Sequence, residues 1–172
     1  MEEIMCYNNF PMLTLGIDPG TARTGFGLVR EESSKLIHVD CGCVTTSSKE
    51  VSQNRLAIIY KAVKKLIIEH KPDFIAVERI FFGNNTTTAM AVSQARGIIL
   101  LAAAECRIEL SEYTPLEVKM ALTGYGRADK KQIQQMVKTL LGLSDIPKPD
   151  DAADALAIAI CHTHSHKLRR LA

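Results

Sequence analysis

The stretch from Ala152 to Cys161 reads Ala-Ala-Asp-Ala-Leu-Ala-Ile-Ala-Ile-Cys, and it limits the possible folds more than any other part of the chain. It is apolar at every position but one and rich in alanine, the strongest helix former. A helix apolar on all sides has no face to give to water and must be buried in its domain. The exception is Asp154, and Asp151, three residues earlier, falls on the same helical face. An isolated carboxylate in an apolar interior is costly and tends to take up a proton unless positive charge compensates it. No lysine or arginine lies on that face of the same helix. Asp151 alone is accounted for as an acid at a helix N-terminus, where the dipole favours it. Asp154 lies a turn further in, where capping does not reach, and a bound cation accounts for it.

The remainder of the chain supplies a sheet. Met12 to Asp18 predicts a strand stopped by the turn pair Pro19-Gly20, and Gly25–Arg30 and Leu36–Thr45 follow at hairpin spacing. Leu56, Ile59, Tyr60, Val63, Leu66 and Ile67 give a helix over about 52–71 its apolar stripe, with Lys61, Lys64 and Lys65 facing water. Phe74 to Glu78 is a short strand apolar on both faces, as in a sheet covered on both sides. A Gly/Asn/Thr-rich loop over 83–88 leads into a helix ending near Glu105, so apolar from Ser93 onwards that it packs inside or against a second subunit. Ile108–Tyr113 is a fifth strand. Helices over 115–123 and 130–141 follow, and the last runs from about Asp151 to His166 after Pro147-Lys148-Pro149. This order predicts an α/β domain, a five-stranded mixed sheet with helices on both faces. Residues 1–11 read as an N-terminal extension and 12–172 as one domain.

Asp18 and Glu78 each end a strand, and in open α/β sheets sites form beyond the carboxyl ends of strands. Taken singly, each is equally well a turn or surface acid. Four acids on three elements, Asp18, Glu78, Asp151 and Asp154, point instead to a carboxylate active centre. Oxygen donors without His or Cys suit Mg²⁺ or Mn²⁺. Two such ions roughly 3.5–4 Å apart hold a scissile phosphate, generate hydroxide and stabilise the leaving oxygen.

The formal net charge is +2, so bulk charge makes no case for nucleic acid. Its distribution does. Between Pro115 and Leu141, Lys119, Arg127, Lys130, Lys131 and Lys138 outweigh Glu117 and Asp129, and from Gly142 to Asp154 the sign reverses. A basic shelf beside an acidic pit suits a phosphate backbone led towards metals; a solvated helix face is the plainer account of Lys131 and Lys138. Phe81 and Phe82, just after the strand ending in Glu78, are placed to stack on bases or to pack in the core, and Tyr125 between two glycines is a further loop aromatic. His162, His164 and His166 read as polar residues near the C-terminus, not ligands. The acidic start Met1-Glu2-Glu3 is unlike a secretory signal, and the most apolar stretch, 97–104, is too short to span a bilayer. Five cysteines without zinc spacing read as free thiols of a cytoplasmic protein, Cys41 and Cys43 sharing a strand face.

Four segments together carry a resemblance: Leu15-Gly-Ile-Asp18-Pro-Gly-Thr-Ala-Arg-Thr-Gly-Phe-Gly, Ala76-Val-Glu78-Arg-Ile-Phe81-Phe, Gln94-Ala-Arg-Gly97 and Asp151-Ala-Ala-Asp154-Ala-Leu-Ala-Ile-Ala. In that order, from about Met12 to His166, the chain resembles the bacterial RuvC family of Holliday junction endonucleases. The resemblance implies a ribonuclease H-like fold, a homodimer, and paired symmetric nicks in four-way junction DNA during recombination and repair. It carries catalytic and metal-ligand roles onto Asp18, Glu78, Asp151 and Asp154, with two Mg²⁺ per site that Mn²⁺ replaces. It assigns base stacking at the junction centre to Phe81, with Phe82 beside it, and DNA contacts to Lys119 and Lys130; Arg79, Arg127 and Lys131 are the further DNA-binding candidates. It also implies work alongside a junction-binding protein and a branch-migration motor of the RuvA/RuvB type. Three features depart from the family pattern: Arg79 stands where glutamine is frequent, Asp150 adds an acid before Asp151, and residues 1–11 precede the domain.

Gly16-Ile-Asp-Pro-Gly-Thr21 also resembles the phosphate-binding hairpin of actin-like ATPases and sugar kinases, whose duplicated second domain 172 residues do not supply. A junction-binding scaffold has no use for a costly negative cluster facing phosphates. A ribonuclease H-like enzyme acting on another nucleic acid is separated from the junction reading by the motifs, not by the acids.

Overall fold

Met12 to Ile17 are buried without interruption, and the strand they form, β1 (Met12–Asp18), is the middle of the sheet. The computed structural model describes the backbone of residues 11–79 and 86–171, and side chains over 11–79 and 89–166. β2 (Arg23–Glu32) pairs antiparallel with β1, and β3 (Lys35–Thr45) antiparallel with β2. After α1 (Ser52–His70) the chain returns as β4 (Phe74–Glu78), parallel to β1 on its other side. Then α2 (Thr86–Glu105) leads to β5 (Glu109–Tyr113), parallel to β4. The order β3-β2-β1-β4-β5 is the expected mixed five-stranded sheet. Three helices close the chain, α3 (Pro115–Thr123), α4 (Lys130–Leu140) and α5 (Asp150–Leu171).

Helices cover both faces. On one, Leu15, Ile17, Ile75 and Val77 pack against Ile59, Val63 and Ile67 of α1 and Ala95, Ile99 and Ala102 of α2. On the other, Ala76 and Tyr113 meet Val118 and Leu122 of α3, Ile133 and Val137 of α4, and Leu156, Ile158 and Ile160 of α5. Residues 155–163 of α5 are buried throughout. Its leucine and isoleucines each contribute ~1.5–3 kcal/mol by leaving water.

Several boundaries differ from the sequence expectation. β2 is longer at both ends, because the exposed Arg23 and Glu32 and the half-buried Glu31 still find partners on β3, and Glu31 also pairs with Met12. α2 already begins at Thr86, inside the stretch whose composition suggested a loop. α5 starts one residue before Asp151 and runs past His166. α2 uses one face for the core and leaves Met90 and Leu101 exposed. Residues 1–10, with most of the expected extension, lie outside the described residues. Cys41, Cys43, Cys106 and Cys161 are free thiols. Among the described residues no helix is long and apolar enough to cross a membrane.

Candidate active site

Ile17 and Val77 are partners in the parallel β1–β4 ladder, so Asp18 and Glu78 emerge side by side at the carboxyl ends of adjacent strands. The turn after Asp18 is pinned from two sides. The Thr24 hydroxyl donates to the Gly20 carbonyl at 2.6 Å, and the Thr46 hydroxyl donates to that of Thr21 at 2.5 Å. Arg55 Nε in turn donates to Thr46 Oγ1 at 2.8 Å.

The first turns of α5 cross this end of the sheet at backbone contact. A Cβ on Gly16 would stand 2.1 Å from the Ala155 oxygen, and one on Gly27 2.7 Å from the Leu156 nitrogen. Only bare backbone permits that approach, which brings Asp151 and Asp154 over Asp18. These glycines are functional in effect, and their signal was present in the sequence: Gly25 and Gly27 alternate with period two, one strand face turned to a close neighbour.

Asp18, Glu78 and Asp154 line one pocket of about 220 Å³, together with Lys119 and Lys130. Asp151 stands on its flank, in a neighbouring groove with Thr21 and Arg23. Burial, then repulsion from Glu78, Asp154 and Asp151, pushes the Asp18 carboxyl up to about 7. Burial, then Asp154, also raises Glu78, with Lys119 opposing. Asp154 is raised by burial, against the hydrogen bond and charge of Lys130.

That last contact corrects one step of the sequence reasoning. The positive charge absent from α5 arrives from another helix: Lys130 Nζ lies 2.9 Å from Asp154 Oδ2 and 3.5 Å from Asp150 Oδ2. Arg23 similarly approaches Asp151 at 3.7 Å, a partner the sequence did not reveal because its turn is remote from α5 in the chain. The half-buried Asp154 is therefore partly compensated without a metal, and its position no longer demands one by itself. Among the described residues no group of three or more His, Cys, Asp or Glu side chains is gathered closely enough to hold a metal ion as it stands. The donor set nevertheless fits a hard divalent cation. It is all carboxylate, and burial with mutual repulsion leaves a negative excess that a dication relieves.

Capping fixes the two lysines. Thr114 and Glu117 form a capping box at the start of α3, and Asp129 and Gln132 another at the start of α4, of which Lys130 is the first residue. Asp129, counted from sequence only as an opposing charge, is thus an N-cap. Arg79 is half exposed and 3.8 Å from Glu112, whose other oxygen pairs with Arg96 of α2. Arg127 and Lys131 are exposed. Phe81 and Phe82 lie outside the described residues. His162, read from sequence as a polar residue near the C-terminus, is 1% exposed; its Nδ1 lies 2.9 Å from the Tyr113 hydroxyl, and its ring stacks on that of His166.

A ribonuclease H-like nuclease domain is the class that this sheet and acid-lined pocket define. The family model for "Crossover junction endodeoxyribonuclease RuvC" matches residues 14–162. A protein of that name from Desulfitobacterium hafniense is 57% identical over 157 residues, covering 91% of this chain and 95% of that protein. A structure of Thermus thermophilus RuvC superposes with a TM-score of 0.86 at 35% identity, covering 92% of this chain and 97% of that one. The T. thermophilus RuvC in complex with Holliday junction substrate gives 0.83 at 34% identity, covering 91% and 96%. The chain belongs to the RuvC family of crossover junction endodeoxyribonucleases.

Proposed function

We propose that this protein resolves four-way DNA junctions by paired symmetric nicks, through metal-dependent hydrolysis of the phosphodiester backbone, in recombination and repair. The observation that carries the reading is the pocket in which Asp18, Glu78 and Asp154 face Lys119 and Lys130 in a chain of this family. Asp18, Glu78, Asp151 and Asp154 are the ligands for two Mg²⁺, with Mn²⁺ as a substitute. When bound, such ions supply a hydroxide nucleophile and stabilise charge on the phosphate and the leaving oxygen. The side chains do the rest. Asp18 and Glu78, on rigid strand ends, fix the inner wall, while the half-buried Asp154 closes the outer side. Lys119 and Lys130 draw the phosphate into the pocket from the rim, and Arg79, Arg127 and Lys131 extend the basic surface along the backbone. Phe81 and Phe82 stack on bases at the junction centre.

A homodimer is the working form, because one pocket cuts one strand and paired nicks need two. The exposed Met90 and Leu101 on α2, with Ile68 on α1, support an apolar contact between copies. The enzyme acts in the cytoplasm on junctions prepared by a junction-binding protein and branch-migration motor of the RuvA/RuvB type.

The test is cleavage of a labelled synthetic four-way junction beside a linear duplex, with Mg²⁺ or with chelator. Symmetric, metal-dependent nicks in the junction alone are expected. Tight junction binding without cutting indicates a scaffold, and equal cutting of both substrates a general nuclease.

A further inference from the structure

Lys130 has two acidic neighbours of different character. Asp154 is half buried and lines the pocket; Asp150 is 65% exposed and does not. The two acids are four residues apart on α5, stacked one turn apart on the same helix face. The Lys130 ammonium bridges them, 2.9 Å from the inner acid and 3.5 Å from the outer. Its backbone is pinned by the Asp129–Gln132 capping box, so the long side chain alone is free to shift.

The inner contact conflicts with metal binding. A divalent cation held by Asp154 would share that carboxylate with the Lys130 ammonium. Two cations on one carboxylate repel each other, and at a half-buried site that repulsion is only partly screened. The ammonium must therefore leave Asp154 as a dication arrives, and Asp150 is already within ion-pair range, one turn towards the solvent.

We propose that Lys130 is a movable counter-cation of the acid cluster, which neutralises Asp154 until a divalent cation binds and then transfers to Asp150. Asp150 is a positioning residue: it acts through Lys130, holding the ammonium at the pocket rim where a DNA phosphate takes it over. Metal and DNA thereby take opposite members of one ion pair, the metal Asp154 and the phosphate Lys130, and each favours the other's binding. The inference rests on the four acids being the metal ligands.

Mn²⁺ titration of the full chain without DNA, read from the free-ion paramagnetic resonance signal, tests it. Lys130→Met should bind Mn²⁺ about fivefold or more tightly than the unaltered protein, the competitor having gone. Asp150→Asn should bind it about threefold more weakly while Lys130 is present, because the ammonium has lost its alternative partner. Asp150→Glu should restore the affinity. In the double variant Lys130→Met/Asp150→Asn most of the Asp150 effect should vanish, since its route is through the lysine. Unchanged or weaker Mn²⁺ binding in Lys130→Met overturns the proposal. An Asp150 effect of equal size with and without the lysine also overturns it, because Asp150 then acts as a plain charge. Asp18→Asn separates the two levels: it should lose Mn²⁺ binding whatever Lys130 does, and if it binds normally, the metal-site reading falls and this inference with it.

Discussion

Gly25 of β2 and Asp151 of α5 meet backbone to backbone: a Cβ on the glycine would stand 2.0 Å from the Asp151 carbonyl oxygen. The start of the helix that carries two of the four acids thus rests directly on the strand paired with Asp18. Gly25→Ala should lift this turn, at a cost of ~1–3 kcal/mol from overpacking. A displacement near 1 Å should slow cleavage about 10²-fold while junction binding, which depends on the basic rim, is retained. Thermal melting and single-turnover cleavage of a four-way junction check this. A variant with wild-type melting and rate would mean that the close approach does not set the site.

Asp18→Asn and Asp154→Asn should each reduce cleavage to background. In chelator both should bind junction DNA as well as the unaltered protein, or more tightly, because each removes a negative charge from a pocket that faces phosphates. Mobility shift and nicking assays on one labelled junction separate the two effects.

The sequence made most of the fold legible, because the burial pattern of each segment was visible in its own residues. Phe74–Glu78 was readable as a covered strand from its unbroken apolar run, and α5 as a buried helix from its alanines. The acids stood out for the same reason, each being polar where its neighbours were not. What escaped were contacts made by residues remote in sequence. Lys130 and Asp154 are 24 positions apart, and nothing in either helix announces that they meet. Arg23 reaches Asp151 only because β2 folds back beneath α5. His162 was misread because its neighbours towards the C-terminus are polar, whereas its Tyr113 partner lies on β5. Local pattern encodes burial; it does not encode which distant side chain supplies a counter-charge.

The Asp18 carboxyl, raised from 3.8 to about 7 by burial and then by Glu78, gives chelated protein a pH-dependent stability. Between those values the native state keeps a proton that the unfolded chain has released, so stability should fall as pH rises from about 4 through 7 and level off above. Glu78 and Asp154, also raised, act in the same direction. The Asp18 contribution is at most about 4 kcal/mol at 1.36 kcal/mol per pKa unit. Denaturant midpoints in chelator at pH 5 and 8 should therefore differ less in Asp18→Asn than in the unaltered protein. Added Mg²⁺ should recover most of the loss at pH 8. A pH dependence identical in both proteins would remove Asp18 as its source.

His162 stands close to the site in the fold but serves the core. Its Nδ1 is 2.9 Å from the Tyr113 hydroxyl, and its ring lies against Phe74 at 4.9 Å and His166 at 5.7 Å. Tyr113 is the ladder partner of Glu78, so the pair sits directly behind an acid of the pocket. Tyr113→Phe keeps the ring and its packing and removes one buried hydrogen bond, a loss worth ~1–3 kcal/mol when a polar partner stays behind. The expected outcome is a lower melting temperature with a cleavage rate within a few-fold of the unaltered enzyme and an unchanged pH–rate profile. The opposite pattern, normal melting with a slowed reaction and a displaced profile, would mean that the imidazole reaches the chemistry through the strand end. The burial of His162 on the inner side of α5, with its ring against Phe74 and Tyr113, argues for the first.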